Sequence, residues 1–237
     1  MSRSNTLVLA HYYTVPAVQQ LADHVGDSLE LSLIAQREKA DRIVFLGVRF
    51  MAETAKILNP NAEVILPDSG STCSLVEQTD IAALKAWREK YRDSVHVAYI
   101  NSSAEHKALS DWIVTSRNVD DIIQHLHDKG NQVIFSPDRN MGAYLNHTYS
   151  WNMPLWSAVC EVHDQFNLEK LEDELRPWSD ATKYLLAHPE SPLSVLLKAQ
   201  EYARDGHGVI GSTNKMLKWI KDFPYSCLLY TSPSPRD

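Results

Sequence analysis

No stretch of the 237-residue chain approaches the length of unbroken apolar sequence needed to cross a bilayer. Its start, MSRSNTLVLAHYY, lacks both the long apolar core and the small-residue cleavage site of a secretory signal. The expected location is therefore the cytoplasm. A basic surplus is also missing: 23 Lys and Arg stand against 30 Asp and Glu, for a net charge of -7, and the basic residues are scattered. That speaks against a nucleic acid or an anionic membrane as partner and for a small molecule. Cysteine is scarce. Cys73, Cys160 and Cys227 are odd in number and far apart, which argues against a disulfide framework and leaves buried thiols or metal ligands. Neither Ser28 nor Ser116 lies in a glycine-flanked nucleophile elbow, so a serine hydrolase is disfavoured.

What is present is an ordinary folded composition, 44% hydrophobic, with a repeated pattern. Three apolar runs end in a polar pair: TLVLAHYY in His11 and Tyr13, VHVAYIN in Tyr99 and Asn101, KYLLAHPE in His188 and Glu190. Runs that are apolar throughout suit buried parallel strands, and residues two apart on an extended strand share a face. Asn101 follows His11 by 90 residues and His188 follows Asn101 by 87, which predicts one small α/β unit used three times. Each copy continues through a helix to a second strand running into a helix: DRIVFLGVRFMAETAKIL, SDWIVTSRNVDDIIQHL and GHGVIGSTNKMLKWI. The second and third of these place Ser116 and Asn118, and Ser212, Thr213 and Asn214, at the strand-to-helix turn, where they cap the helix or leave backbone N-H groups for an anion.

Third strands are expected in AEVILPDSGSTCSL and NQVIFSPDRNMGAYL, each reaching a Pro-Asp turn and each followed by a cysteine, with Cys73 and Cys160 again 87 residues apart. The third copy would carry its own third strand and cysteine, the latter near position 247, beyond this chain. The expected fold is α/β: a pseudo-threefold arrangement of three-layer α/β/α domains with parallel sheets, at 1-83, 84-169 and 170-226, the third incomplete. Residues 227-237, CLLYTSPSPRD, resemble the in-frame translation of a sequencing-library adapter and are expected to be a non-native tail. Ligands collect at the carboxyl ends of parallel strands. Three such units facing one another would enclose a cavity lined by the polar pairs, with one cysteine from each copy; three thiolates suit an iron-sulfur cluster with one open iron.

Seven stretches, AHYYTVPAVQQLADHVGDSLE, GVRFMAETAKILNP, TCSL, AYINSSAEHKALSDWIVTS, CEVH, AHPESP and GSTN, lie in the order found in the quinolinate synthase family, which this chain resembles from Leu7 to about Thr213. The resemblance implies condensation of iminoaspartate with dihydroxyacetone phosphate to quinolinate, with loss of phosphate and water, at a [4Fe-4S] cluster acting as a Lewis acid in NAD biosynthesis. An aspartate-oxidising enzyme would supply the iminoaspartate. Matched motif by motif, it implies Cys73 and Cys160 as metal ligands, with the third cysteine absent from this chain. His11, Tyr13, Tyr99, His188 and Glu190 become catalytic groups, and Ser28, Asn101, Ser116, Ser212 and Thr213 substrate-binding ones. The chain departs from the family at Val159 and Glu161 beside the second cysteine and at Asn214. Without the third cysteine, this chain alone is expected to bind a cluster poorly and to be inactive. Two other readings keep the same architecture: a diphthamide-type radical enzyme, and a small-molecule binding fragment without a cluster. His24, His96, His106, His125, His127, His147 and His207 are expected in packing or at the surface, while His163 keeps its family place beside Cys160.

Overall fold

The computed structural model describes residues 5-178, 182-222 and 228-230. The first sheet and its helices comprise β1 (Thr6–His11), α1 (Pro16–Gln19), β2 (His24–Gly26), α2 (Ser28–Glu38), β3 (Arg42–Leu46), α3 (Arg49–Leu58), β4 (Glu63–Ile65) and α4 (Ser74–Glu77). The second group is α5 (Ile81–Lys90), β5 (Val95–Tyr99), α6 (Ala104–Ala108), β6 (Trp112–Val114), α7 (Val119–Asp128), β7 (Val133–Ser136), α8 (Arg139–Tyr149) and α9 (Glu161–Asp164). The third is α10 (Leu168–Leu175), a 3-10 turn at Arg176–Trp178, β8 (Tyr184–Ala187), α11 (Leu193–Arg204), β9 (Gly208–Ile210), α12 (Thr213–Asp222) and β10 (Leu228–Tyr230). Among the described residues, no helix is long and apolar enough to cross a membrane.

All strand pairings are parallel, in the orders β2-β1-β3-β4, β6-β5-β7 and β10-β8-β9. In every sheet the first strand in the chain is central, with the second on one side and the third on the other. The chain thus reverses its direction of travel at β1, β5 and β8, and the crevice where an α/β sheet takes its ligands opens at their carboxyl ends.

This order corrects the expected register of the repeat. The counterpart of β6 and β9 is the three-residue β2, not the strand in DRIVFLGVRF, which is a third strand equivalent to β7. A run as short as HVG carries too little apolar sequence to be picked out by pattern. The third sheet also has its third strand within the described residues, β10, paired with β8 from Leu228↔Tyr184 to Tyr230↔Leu186. The expectation of a non-native tail at 227-237 otherwise falls on residues outside those described.

Each sheet packs its own core. Leu9, Ile43 and Phe45 meet Leu31 and Ala55 in the first, Val97, Phe135, Ile123 and Met141 fill the second, and Leu185, Val195 and Leu196 the third. Helix α7 shows why: Val119, Ile123 and Leu126, at i, i+4 and i+7, are its buried residues, and the acidic Asp120 and Asp121 stand in its first turn, where negative charge favours the helix dipole. The three units close into a ring of polar contacts. Arg117 Nη2 lies 3.0 Å from Asp27 Oδ2, Ala104 N donates to Glu53 Oε2 at 2.8 Å, Tyr99 Oη donates to Glu190 at 2.6 Å, and Asn214 Nδ2 donates to Glu30 at 3.0 Å.

Two histidines are buried in the second unit. His96 Nδ1 is 3.2 Å from the Leu109 carbonyl, which can only accept, so that nitrogen carries the proton. His96 Nε2 then accepts from Ser136 Oγ at 2.6 Å, and His106 Nε2 donates to the same oxygen at 2.7 Å. Burial, above all, lowers the pKa of His96 from 6.5 to about 4 and that of His106 to about 3. The unfolded chain takes up these protons near pH 6.5 and the folded chain only near pH 4 or below. Stability is therefore complete above pH 6.5 and falls as pH drops through that window, by about 1.4 kcal/mol per unit for each ring. The urea midpoint should fall steadily between pH 7 and pH 5, and His106→Gln should flatten the slope. A midpoint constant over that range would mean that the folded protein takes up these protons at the same pH as the unfolded chain.

Candidate active site

The carboxyl ends of the three central strands open on one cavity of about 910 Å³. All twelve residues singled out from the sequence line it: His11, Tyr13, Ser28, Cys73, Tyr99, Asn101, Ser116, Cys160, His188, Glu190, Ser212 and Thr213. The polar pairs reach it by a route other than strand alternation. β1 ends at His11, β5 at Tyr99 and β8 at Ala187, so the second member of each pair lies in a bend or turn beyond the strand.

In two units that turn folds back on the histidine. Tyr13 N donates to His11 Nδ1 at 3.2 Å, and Glu190 N donates to His188 Nδ1 at 3.4 Å. Each Nδ1 is thereby an acceptor, which leaves the proton on Nε2 in the neutral ring. Burial holds both rings in that form, lowering each pKa from 6.5 to about 4 against the opposing pull of Glu190. Tyr13 Oη also meets Thr213 Oγ1 at 3.2 Å, joining the first unit to the third.

Glu190 is the hub of the buried chemistry. Its Oε1 accepts from Tyr99 Oη at 2.6 Å and from Asn101 Nδ2 at 3.1 Å, and its Oε2 lies 3.1 Å from His163 Nδ1. Burial alone would raise its pKa, but the His163 ring, His188 and the Tyr99 hydroxyl outweigh burial and hold the carboxyl below the usual carboxylate range. Nearby Asp138, fully buried at the start of α8, goes the other way: burial and repulsion from Glu190 raise it well above the ordinary value. The two neighbouring carboxyls are thus pushed in opposite directions.

Cys73 and Cys160 occupy equivalent places. Each is the residue preceding a four-residue helix, α4 or α9. Cys73 follows β4; Cys160 follows two parallel bridges, Phe135↔Leu155 and Asp138↔Ala158, that form a rudimentary fourth strand beside β7. The Pro-Asp turns are not equivalent, since Pro67 follows a fourth strand and Pro137 a third. The 87-residue spacing holds because each cysteine follows the fourth strand position of its unit, past α3 and β4 in the first and past α8 and the two bridges in the second. Burial first, and then the Glu190 charge, push the Cys73 thiol up to about 12 and the Cys160 thiol higher still. Both are thiols as the chain stands, so a metal would have to displace their protons.

His163 was not among the candidate site residues, although its spacing of three from Cys160 in CEVH puts both on one side of a helical turn. Its Nδ1 is 3.1 Å from Cys160 Sγ as well as from Glu190, its ring stacks on His188 at 4.8 Å, and its buried Nε2 has no hydrogen-bond partner. Donor atoms of Cys160, His163 and Glu190 lie within 4.8 Å of one another, so this group could hold a metal ion.

The serines form a second repeated feature. Ser28, Ser116 and Ser212 each lie two residues past the end of the second strand of their sheet, β2, β6 and β9, at the mouths of α2, α7 and α12. Asp27 caps α2 through Glu30 N at 2.9 Å, and Arg117, beside Ser116, brings a guanidinium to the cavity wall. Arg117 was missed because a lone arginine next to a cap carries no pattern; its pairing with Asp27, 90 residues earlier, exists only in the fold.

The family model described as Quinolinate synthetase A protein matches residues 1-231. The chain is 42% identical over 220 residues to the quinolinate synthase of Prosthecochloris aestuarii, covering 93% of this chain and 65% of that protein. It is 44% identical over 223 residues to that of Ehrlichia chaffeensis, covering 94% and 68%, and 41% identical over 230 residues to that of Chlorobaculum tepidum, covering 97% and 68%. The chain thus spans about two thirds of the length of the relatives it matches.

Proposed function

Because this chain belongs to the quinolinate synthase family, we propose that it carries most of the active site of an enzyme that condenses iminoaspartate with dihydroxyacetone phosphate to quinolinate, releasing phosphate and water. The observation that carries this reading is the convergence of two thiols, a buried anionic carboxylate and two neutral histidines on one cavity shared by three sheets.

Cys73 and Cys160 would hold an iron-sulfur cluster. The donor chemistry fits, with soft sulfur at matched positions and His163 Nδ1 3.1 Å from Cys160 Sγ. When bound, the cluster would supply a Lewis-acidic iron that polarises a substrate oxygen. The chain's own residues do the rest. Glu190, ionised and held by three donors, accepts a proton in the dehydration steps, and Tyr99, whose hydroxyl already points its proton at Glu190, relays it. His11 and His188, neutral with Nε2 protonated, donate to developing oxyanions. Ser28, Ser116, Ser212 and Thr213, with the free N-H groups of their helix ends, bind carboxylate and phosphate oxygens, and Asn101 orients them. Tyr13 closes the site against Thr213.

The test is anaerobic reconstitution of the full-length protein with iron and sulfide, followed by quinolinate measurement with a source of iminoaspartate and dihydroxyacetone phosphate. Quinolinate that depends on both substrates and on reconstitution is the expected result. Iron-loaded protein that makes none would sink the assignment.

A further inference from the structure

A second cavity, of about 470 Å³, adjoins the mouths at Ser116 and Ser212. It shares Ser116, Arg117 and Ser212 with the main cavity, so the two chambers meet at those three residues, here called the neck. Beyond the neck its wall carries Lys215 and Lys218, which line this chamber and not the main one.

The charge here runs against that of the molecule. The chain carries a net charge of -7, yet this wall brings together three cations, Arg117, Lys215 and Lys218, and one carboxylate, Asp120. Asp120 is engaged by the hydroxyl of Tyr149, whose pKa is raised to about 12 by burial and by that carboxylate. The cations keep donors to spare. Arg117 contacts Asp27 through one nitrogen of a guanidinium that has five N-H groups. Lys215 Nζ donates to the neutral carbonyl of Ile210 at 2.9 Å and forms no ion pair among the described residues. Met141 and Leu145 also line this chamber and make part of its wall apolar. Helices α7 and α12, ten residues each, start at the neck and add their positive ends.

We propose that the second cavity is an exit chamber for inorganic phosphate: the anion released in the main cavity passes the neck at Ser116, Arg117 and Ser212 and is held by Arg117, Lys215 and Lys218 before it leaves. This rests on the reading that the reaction liberates phosphate. A cationic chamber beyond the site gives a small dianion a favourable step away from the reacting carbons and keeps it from returning to block the next turnover.

The experiment is titration of inorganic phosphate into the full-length protein, followed by calorimetry, for the unsubstituted protein, the double variant Lys215→Gln/Lys218→Gln, and Lys198→Gln as a charge control on α11. Both lysines of the double variant are exposed, so folding should be unaffected. Loss of two charge-assisted contacts should weaken binding about tenfold or more, with Lys198→Gln unchanged. Absence of measurable binding in the unsubstituted protein, equal affinity in the double variant, or an equal loss in Lys198→Gln would each overturn the proposal. These outcomes are separate from the fate of the proposed activity: a protein that makes no quinolinate but loses phosphate with the two lysines would fail as a synthase while retaining the anion chamber.

Discussion

Glu190→Gln should lower the rate of quinolinate formation by about 10²–10⁴, the range expected when a positioned proton carrier is removed, while leaving the fold intact. The substitution keeps shape and volume. The amide oxygen can still accept from Tyr99 and Asn101, which now stand 2.6 and 3.1 Å from Oε1. What it loses is the charge and the acceptor facing His163 Nδ1 at 3.1 Å, where an amide would set donor against donor unless the imidazole moves its proton to Nε2. That nitrogen has no partner, so the switch is open to it. The variant should therefore unfold at nearly the same temperature and differ mainly in rate. Steady-state assay beside a thermal melt separates the two effects. Turnover comparable to that of the unsubstituted protein would show that Glu190 organises the site and does not carry protons.

Cys160→Ala should bring the iron and acid-labile sulfide of the reconstituted full-length protein close to background. The thiol lies at the entrance of α9, 3.1 Å from His163 Nδ1 and inside the Cys160, His163 and Glu190 group. Two ligand sets compete for the same metal, and three variants distinguish them. Where thiolates hold iron, Cys73→Ala loses iron as Cys160→Ala does, and His163→Ala retains it. Where the three-residue group is the metal site, His163→Ala loses iron and Cys73→Ala does not, which would remove Cys73 from the ligand set. Colorimetric iron and sulfide content reads both cases without any need for turnover.

The ends of the apolar strands were legible because β1, β5 and β8 are central strands buried on both faces, so their runs are apolar but for His96 and stop abruptly at the cavity. His11, Tyr99 and His188 could be placed from that signal alone. The geometry of their partners could not, since Tyr13 and Glu190 reach the cavity by turning back on a histidine Nδ1, a hydrogen bond that leaves no trace in residue periodicity. β2 was hidden by its length, and with it the equivalence of Ser28 to Ser116 and Ser212. The cysteine spacing pointed to a true equivalence through a false intermediate, the Pro-Asp turns. His163, Asp138 and Arg117 depend on contacts between segments distant in sequence, which only packing brings together.

The ring of units also fixes when the cavity can exist. Tyr99, Asn101 and His163 all precede Glu190 in the chain, as do Cys73 and Cys160, and the closing contact from Asn214 to Glu30 comes later still. During synthesis, the first two sheets can therefore form with both thiols in place before the carboxylate that anchors their surroundings has been added. A nascent chain at that stage has both thiols, His11 and Tyr99, but neither His188 nor Glu190. The carboxylate at the centre of the cavity is thus added to two thiols that are already in place, and the order of synthesis runs from sulfur to acid.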